Sequence, residues 1–157
     1  MINPEKLTIL ERTHRLVKEY AEHYPIALAT AKPNEKAFSA TEIIYHLVDV
    51  EKLWHERFRH MKEKEGALFQ AMDPDSVALN NRYNEKSITD GLHEWGELRT
   101  RTFKMINEMD DTLLSRIAVH PRYGDVAISR ILDIMANHDL QHLEQMKRTL
   151  SQVTPAA

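Results

Sequence analysis

The chain contains no cysteine, which excludes a disulfide framework, a thiolate zinc site, a thiolate-ligated iron–sulfur cluster and a protein-borne thiol nucleophile. Any thiol chemistry must use a thiol brought from outside. Glycine and proline are scarce, at four and six in 157 residues, about half their usual combined share. A turn-rich sandwich or barrel is therefore disfavoured and helices are favoured. No apolar run approaches the ~18 residues needed to cross a bilayer, and no charged-then-apolar leader opens the chain, so a soluble, cytoplasmic protein that avoids membranes is expected. The formal charge of −3 comes from Lys and Arg mixed among Asp and Glu throughout. No basic stripe is available to neutralise phosphates, and nucleic acid is not an expected partner. Lys62, Glu63, Lys64 and Glu65, and the Arg57, Arg59, Lys62 group beside Glu56, read as solvated helix faces. The excess lies in histidine, with nine residues of a type that serves as metal ligand, general base or pH switch near neutrality.

The length fits one domain, 1–157, with a frayed tail from about residue 152. Asn3 before Pro4 is an N-cap with proline at the first helical position, and Leu7, Leu10, Val17, Tyr20, Ala21 and Tyr24 follow at helical spacing. Pro25 kinks or ends this first helix, and Lys32, Pro33 and Asn34 mark a loop. Ser39 with Glu42 forms a capping box, opening a second helix whose stripe is Ile43, Leu47, Val50, Trp54, Phe58 and Met61. Residues 62 to 86 carry no clear period and read as a crossover with a helical turn near Ser76 to Leu79. Ser87 with Asp90 opens the third helix through Ile88, Leu92, Trp95, Leu98, Thr102, Met105 and Met109. Gly91 and Gly96 each weaken it by about 1 kcal/mol relative to Ala, so packing must hold it. Leu114 to Gly124 reads as an extended segment and turn, after which Asp125 can cap a fourth helix carrying Ile128, Ile131, Leu132, Met135, Leu143, Met146 and Leu150. The expected fold is all-α, a four-helix bundle with a long crossover between the second and third helices.

On the fourth helix the apolar ladder gives way to His138 and His142. Their i, i+4 spacing puts both rings on one face, from which two nitrogens can converge on a cation at ~2.0–2.1 Å. A third ligand should come from another helix, and His46 is the best candidate because it sits at the edge of the second helix's buried face. Glu42 and Asp49 flank His46, and Asp139 lies near His142. Each could accept the second N–H of a ligand ring and so fix its tautomer. The zinc-protease helix is a poor match: Asp139 stands where the catalytic Glu is needed, and few residues remain for a third ligand. A di-iron carboxylate bundle fits no better, since Glu11 with His14 gives only one Glu-x-x-His pair. His14, His23, His55, His60 and His93 lie among polar neighbours and read as surface side chains.

Three segments carry a family resemblance: Phe38-Ser39-Ala40-Thr41-Glu42 with His46, His120-Pro121-Arg122-Tyr123-Gly124, and His138-Asp139-Leu140-Gln141-His142-Leu143-Glu144-Gln145. Together they resemble the DinB-like superfamily, including its YfiT-like members, over nearly the whole chain. The resemblance implies a four-helix bundle with a long crossover and a divalent metal, nickel or zinc, held by His46, His138 and His142. It also implies a metal-dependent transferase or isomerase using a low-molecular-weight thiol such as bacillithiol, mycothiol or glutathione, or else a hydrolase. The chain departs from the YfiT-like pattern at Gln141 and Leu143, where extra histidines are expected.

Three neutral imidazoles leave an ion its full charge and an open position, the arrangement of a catalytic site, at which water or a thiol can become a nucleophile near neutral pH. The function expected is a metal-dependent S-transferase or related hydrolase acting on a small molecule. A non-catalytic metal-binding bundle, either sensor or interaction protein, is the alternative. Arg99, beside Trp95 and Thr102, is a candidate anchor for an anionic substrate group. His120, before Pro121, is a candidate acid or base. A homodimer is expected on base rate.

Overall fold

The computed structural model describes residues 2–156. Four long helices form the bundle: α1 (Pro4–Glu22), α2 (Ala40–Glu63), α4 (Ile88–Asn107) and α6 (Ile128–Val153). Two short ones, α3 (Pro74–Asn80) and α5 (Asp111–Ser115), lie in the connections. A small sheet is built from β1 (Ala67–Leu68), β2 (Ile117–His120) and β3 (Gly124–Ala127), with β1 parallel and β3 antiparallel to β2. No described helix is long and apolar enough to cross a membrane.

Helix starts follow local chemistry. Asn3 Oδ1 accepts the Glu5 N–H, and Pro4 occupies a position whose N–H would otherwise lack an acceptor. At α2 the capping box is complete, with Ser39 Oγ accepting from Glu42 N and Glu42 Oε2 accepting from Ser39 N. The last helix departs from expectation. Asp125 lies in β3 opposite Val119, and α6 begins from Ala127 without a side-chain cap. The hairpin ladder has claimed the residue that could have capped. Gly124 closes that hairpin with φ of +68°, a left-handed conformation open to glycine without strain. Gly91 serves packing instead, since a Cβ there would lie 3.0 Å from Ile44 and Tyr45 side-chain atoms. Its absence lets α4 approach α2.

The core consists of two large apolar clusters and a small third one, Tyr45, Ala78 and Tyr83, where the crossover packs on α2. The first large cluster contains Leu10, Trp54, Phe58, Ile106 and Met135, and the second Val17, Leu47, Trp95, Leu143 and Met146. Along α1 and α6 the chain runs from the first cluster to the second, and along α2 and α4 from the second to the first. Hence α1 runs parallel to α6 and α2 parallel to α4, with the two pairs opposed. A parallel pair cannot be joined by a tight turn. The chain must return along a helix of some 24 residues, about 36 Å, which is why residues 64–87 form a long crossover.

Between the clusters lies a polar layer with one contribution or more from every long helix. Arg99 of α4 is 2% exposed and grips Glu51 of α2 through Nε and Nη2 (2.9 and 2.8 Å) and Asp139 of α6 through Nη1 (2.9 Å). Thr13 of α1 donates to Asp139 (3.1 Å), Thr102 donates to Glu51, and His55 meets the Thr102 hydroxyl at 2.8 Å. Burial opposes the charge on Arg99, but the carboxylates of Asp139 and Glu51 outweigh it and hold the guanidinium protonated. Arg99→Met should lower stability by about 3–5 kcal/mol in urea unfolding, because two carboxylates would remain buried without their cation. A loss below 1 kcal/mol would show that water replaces the guanidinium.

His14 is not a surface residue. Its ring packs edge-on against Trp95 at 4.3 Å between centroids, and Nε2 is sealed from solvent. Burial, assisted by the charge of Arg99, lowers its pKa to about 3. The unfolded chain therefore takes up a proton near pH 6.5 that the folded chain refuses, and this contribution to stability falls as pH drops from 6.5 toward 3. His14→Gln should reduce the stability lost between pH 7 and pH 5 by about 2 kcal/mol. Denaturant midpoints at the two pH values check this, and an unchanged slope would contradict it.

Candidate metal centre and its cavity

His46 lies in the second turn of α2, and His138 and His142 lie one turn apart on α6. The parallel-pair topology places these two stretches side by side. Nε2 of His138 is 3.2 Å from Nε2 of His46 and 3.0 Å from Nε2 of His142, and one nitrogen from each ring falls within 4.8 Å of the others. Ligand nitrogens at ~2.0–2.1 Å around a tetrahedral ion stand roughly 3.3 Å apart, so the donor set fits a divalent metal. Desolvation by burial lowers the pKa of all three rings, to about 3 for His46 and well below 6.5 for His138, and the neighbouring imidazoles reinforce the shift in both. Neutral rings keep their lone pairs available. Among the described residues no fourth His, Cys, Asp or Glu joins the cluster.

The outer partners differ from those anticipated. Glu42 is engaged by the Ser39 N–H and by Lys32 (3.2 Å), Asp49 accepts from Asn81 (3.1 Å) and the Tyr83 hydroxyl, and Asp139 belongs to Arg99 and Thr13. None of the three supports a ring of the cluster. His142 Nδ1 instead meets Gln145 Oε1 at 2.7 Å, which places the N–H on Nδ1 and leaves Nε2 as the donor atom. An i+3 glutamine was the signal available. Flanking carboxylates obscured it.

The cluster opens on a cavity of about 670 Å³, within the range of small-molecule sites. From α2 come His46, Val50, Leu53, Trp54 and Arg57, and from α6 Ile134, Asn137, His138, Gln141, His142 and Gln145. Both sets repeat at helical three-and-four spacing, so each is one continuous face. The last residue of β2 supplies His120, and the β2–β3 turn supplies Arg122 and Tyr123. His120 therefore lines the cavity as anticipated. Its Nδ1 accepts the Arg122 N–H at 3.1 Å, and desolvation, with the charges of Arg57 and Arg122, lowers its pKa. The ring is neutral with its proton on Nε2, a hydrogen-bond donor.

Two arginines lie in surroundings other than those expected of them. Arg99, the anticipated anion anchor, is locked in the polar layer and does not line the cavity. Arg57, expected on a solvated face, is 7% exposed and lies over the rings of Trp54 and Phe69 at 4.5 and 4.8 Å. It follows His46 by three turns on the cavity face of α2. Its charged neighbours Glu56, Arg59 and Lys62 concealed that register. Of the remaining histidines His23, His60 and His93 are exposed, while His55 is half-buried.

Sequence comparison with known families matches residues 9–146 to the DinB superfamily. The chain belongs to the DinB superfamily. No curated protein sequence matches it. Among solved structures this DinB-superfamily chain is similar to YfiT from Bacillus subtilis, described as a probable metal-dependent hydrolase with an unusual four-helix bundle topology, with a TM-score of 0.82, 16% identity, and coverage of 94% of this chain and 85% of that one. A mycothiol-dependent maleylpyruvate isomerase gives a TM-score of 0.77 at 10% identity, covering 91% of this chain but only 60% of the isomerase. The four-helix bundle protein TT2238 gives 0.69 at 18% identity, covering 92% and 98%. At these identities the likeness establishes the fold.

If the three rings share one ion, the purified chain should take up about one equivalent of zinc or nickel. His142→Ala should reduce affinity by about 100-fold or more. Titration calorimetry with elemental analysis provides the check, and undiminished uptake by His142→Ala would place the metal elsewhere.

Proposed function

We propose that this DinB-superfamily protein is a metal-dependent enzyme whose His46, His138 and His142 hold one zinc or nickel ion, and that it transfers a low-molecular-weight thiol to an electrophilic small molecule. The observation that carries this reading is the opening of the three-histidine cluster on one side into a 670 Å³ cavity. A site that merely stapled α2 to α6 would have no use for that space. Its competing reading, a non-catalytic bundle, calls for a fourth protein ligand and a closed surround. The mycothiol dependence of one structural relative and the absence of cysteine from this chain support an external thiol over an internal one.

When bound, the ion supplies Lewis acidity and stabilises a thiolate at neutral pH. The chain's own residues set the rest. Burial keeps the three imidazoles neutral, and Gln145 fixes the orientation of His142. Neutral His120 presents its Nε2 proton as a hydrogen bond to negative charge developing on the electrophile, because desolvation, with the charges of Arg57 and Arg122, disfavours its protonation. Val50, Leu53, Trp54 and Ile134 give the substrate apolar walls that exclude water. In the overall reaction the thiol sulfur forms a bond to the electrophilic carbon, the bond from that carbon to the leaving group breaks, and the thiol proton departs with the leaving group.

Zinc- or nickel-loaded protein, offered bacillithiol, mycothiol or glutathione with a panel of alkyl and aryl electrophiles, should give thioether product. Chelation or His142→Ala should lower the rate by at least about 100-fold, and His120→Phe by about 10- to 100-fold. Fully metallated protein that turns over no member of the panel would defeat the transferase reading, and hydrolysis of ester substrates by the same preparation would replace it with the hydrolase one.

A further inference from the structure

The two buried arginines of the described residues are treated oppositely by the fold. Arg99 faces two carboxylates. Arg57 faces none within ion-pair distance, although withdrawing a guanidinium from water without a counter-ion is unfavourable. Its Nη2 donates to the backbone oxygen of Gln70 at 2.9 Å, its Nε is sealed without an acceptor, and its Cζ sits in the corner formed by the Trp54 and Phe69 rings, which meet edge to face. Cation–π contacts return only part of the cost. What they do secure is position, since an arginine flanked by two aromatic faces is fixed before any ligand arrives.

The surrounding cavity is cationic as well. Lys36 and Arg122 line it without ion-pair partners among the described residues, and its one acidic lining residue is Asp75. A net positive pocket in a chain of charge −3 is a local feature and not a reflection of composition. Arg57 and the histidine cluster lie at opposite ends of one α2 face, 11 residues or about 16 Å apart along the helix, with Val50, Leu53 and Trp54 between them.

We propose that Arg57 anchors the carboxylate of the enzyme's acceptor substrate, an organic acid whose apolar body lies along Val50, Leu53 and Trp54 and whose reacting carbon reaches the three histidines. The anchor rests on the reading of the cavity as a reaction site, and it specifies the substrate class: anionic at one end and electrophilic at the other. Arg122, at the rim and exposed, steers the anion in.

The test uses the full chain, once zinc-loaded and once chelator-treated, with 3-phenylpropionate and its neutral amide as probes read by Trp fluorescence and calorimetry. Both preparations should prefer the acid by about tenfold or more, the gain expected of charge-assisted hydrogen bonds. Arg57→Gln, which can still donate to the Gln70 carbonyl, should reduce that preference to about twofold or less, and Arg57→Lys should retain an intermediate preference should the glutamine variant fold poorly. Equal binding of acid and amide by the parent chain, an undiminished preference in Arg57→Gln, or Arg57-dependent binding of glutathione without any of 3-phenylpropionate would overturn the assignment. Preference in the zinc-loaded form only would also overturn it, by placing the carboxylate on the metal. A chain that prefers the acid yet takes up no metal would instead defeat the enzymatic reading and leave the anion anchor standing.

Discussion

Every long helix of the bundle meets at Arg99. Its fork joins Glu51 on α2 to Asp139 on α6, Thr13 of α1 closes on the same carboxylate, and the guanidinium itself belongs to α4. Apolar side chains slide past one another at modest cost, whereas a fork of charge-assisted hydrogen bonds has one geometry. The polar layer therefore sets the axial register of all four helices at one height. That register matters because Asp139 adjoins His138 and because Glu51 follows His46 by five residues. A shift of α6 by one turn against α2, about 5.4 Å, would carry the histidine nitrogens past each other.

The parallel direction of α2 and α4 is the second constraint, and the cavity is its consequence. A chain forced to return along the bundle must cross its outside, and the return segment here is pinned by β1 pairing with β2. Bonding to β2 continues to Phe69, next to Gln70 whose carbonyl accepts from Arg57, and the sheet also holds His120 and the turn that bears Arg122 and Tyr123. Connections that would be mobile loops in an up-and-down bundle are thus converted into walls. Trp54 belongs to both worlds: its ring packs in the core and also lies against Arg57 and His120.

Features written locally in the chain are legible in the sequence. The caps at Asn3 and Ser39 depend on residues two or three positions away, and the His138/His142 pair depends on one helical turn. His46 is legible from its place at the edge of an apolar stripe. Illegible features depend on partners distant in sequence. Two residues, Ala67 and Leu68, carry no period, and only their pairing with β2 makes them a strand. Asp125 has the chemistry of a cap, but the ladder opposite Val119 wins. Glu42 and Asp49 flank His46 in sequence, yet Lys32, Asn81 and Tyr83 claim them from other segments, while Gln145 takes the role that a carboxylate was expected to fill.

Arg57 and Arg99 show why charge patterning alone misassigns such residues. Both interrupt helical stripes, and each has charged or polar neighbours in sequence. What separates them is the charge that comes to meet each side chain in three dimensions. Around Arg99 the fold supplies two carboxylates, so its charge is satisfied internally and its contribution is to architecture. Around Arg57 the fold supplies aromatic faces, a single carbonyl and an open cavity. Stability alone would favour a leucine there, since burial of a hydrocarbon would avoid desolvating a cation. A cost carried by the folded chain and left uncompensated by any carboxylate of its own is the pattern on which the proposal of an anion anchor at Arg57 rests, at the far end of the α2 face from the three histidines.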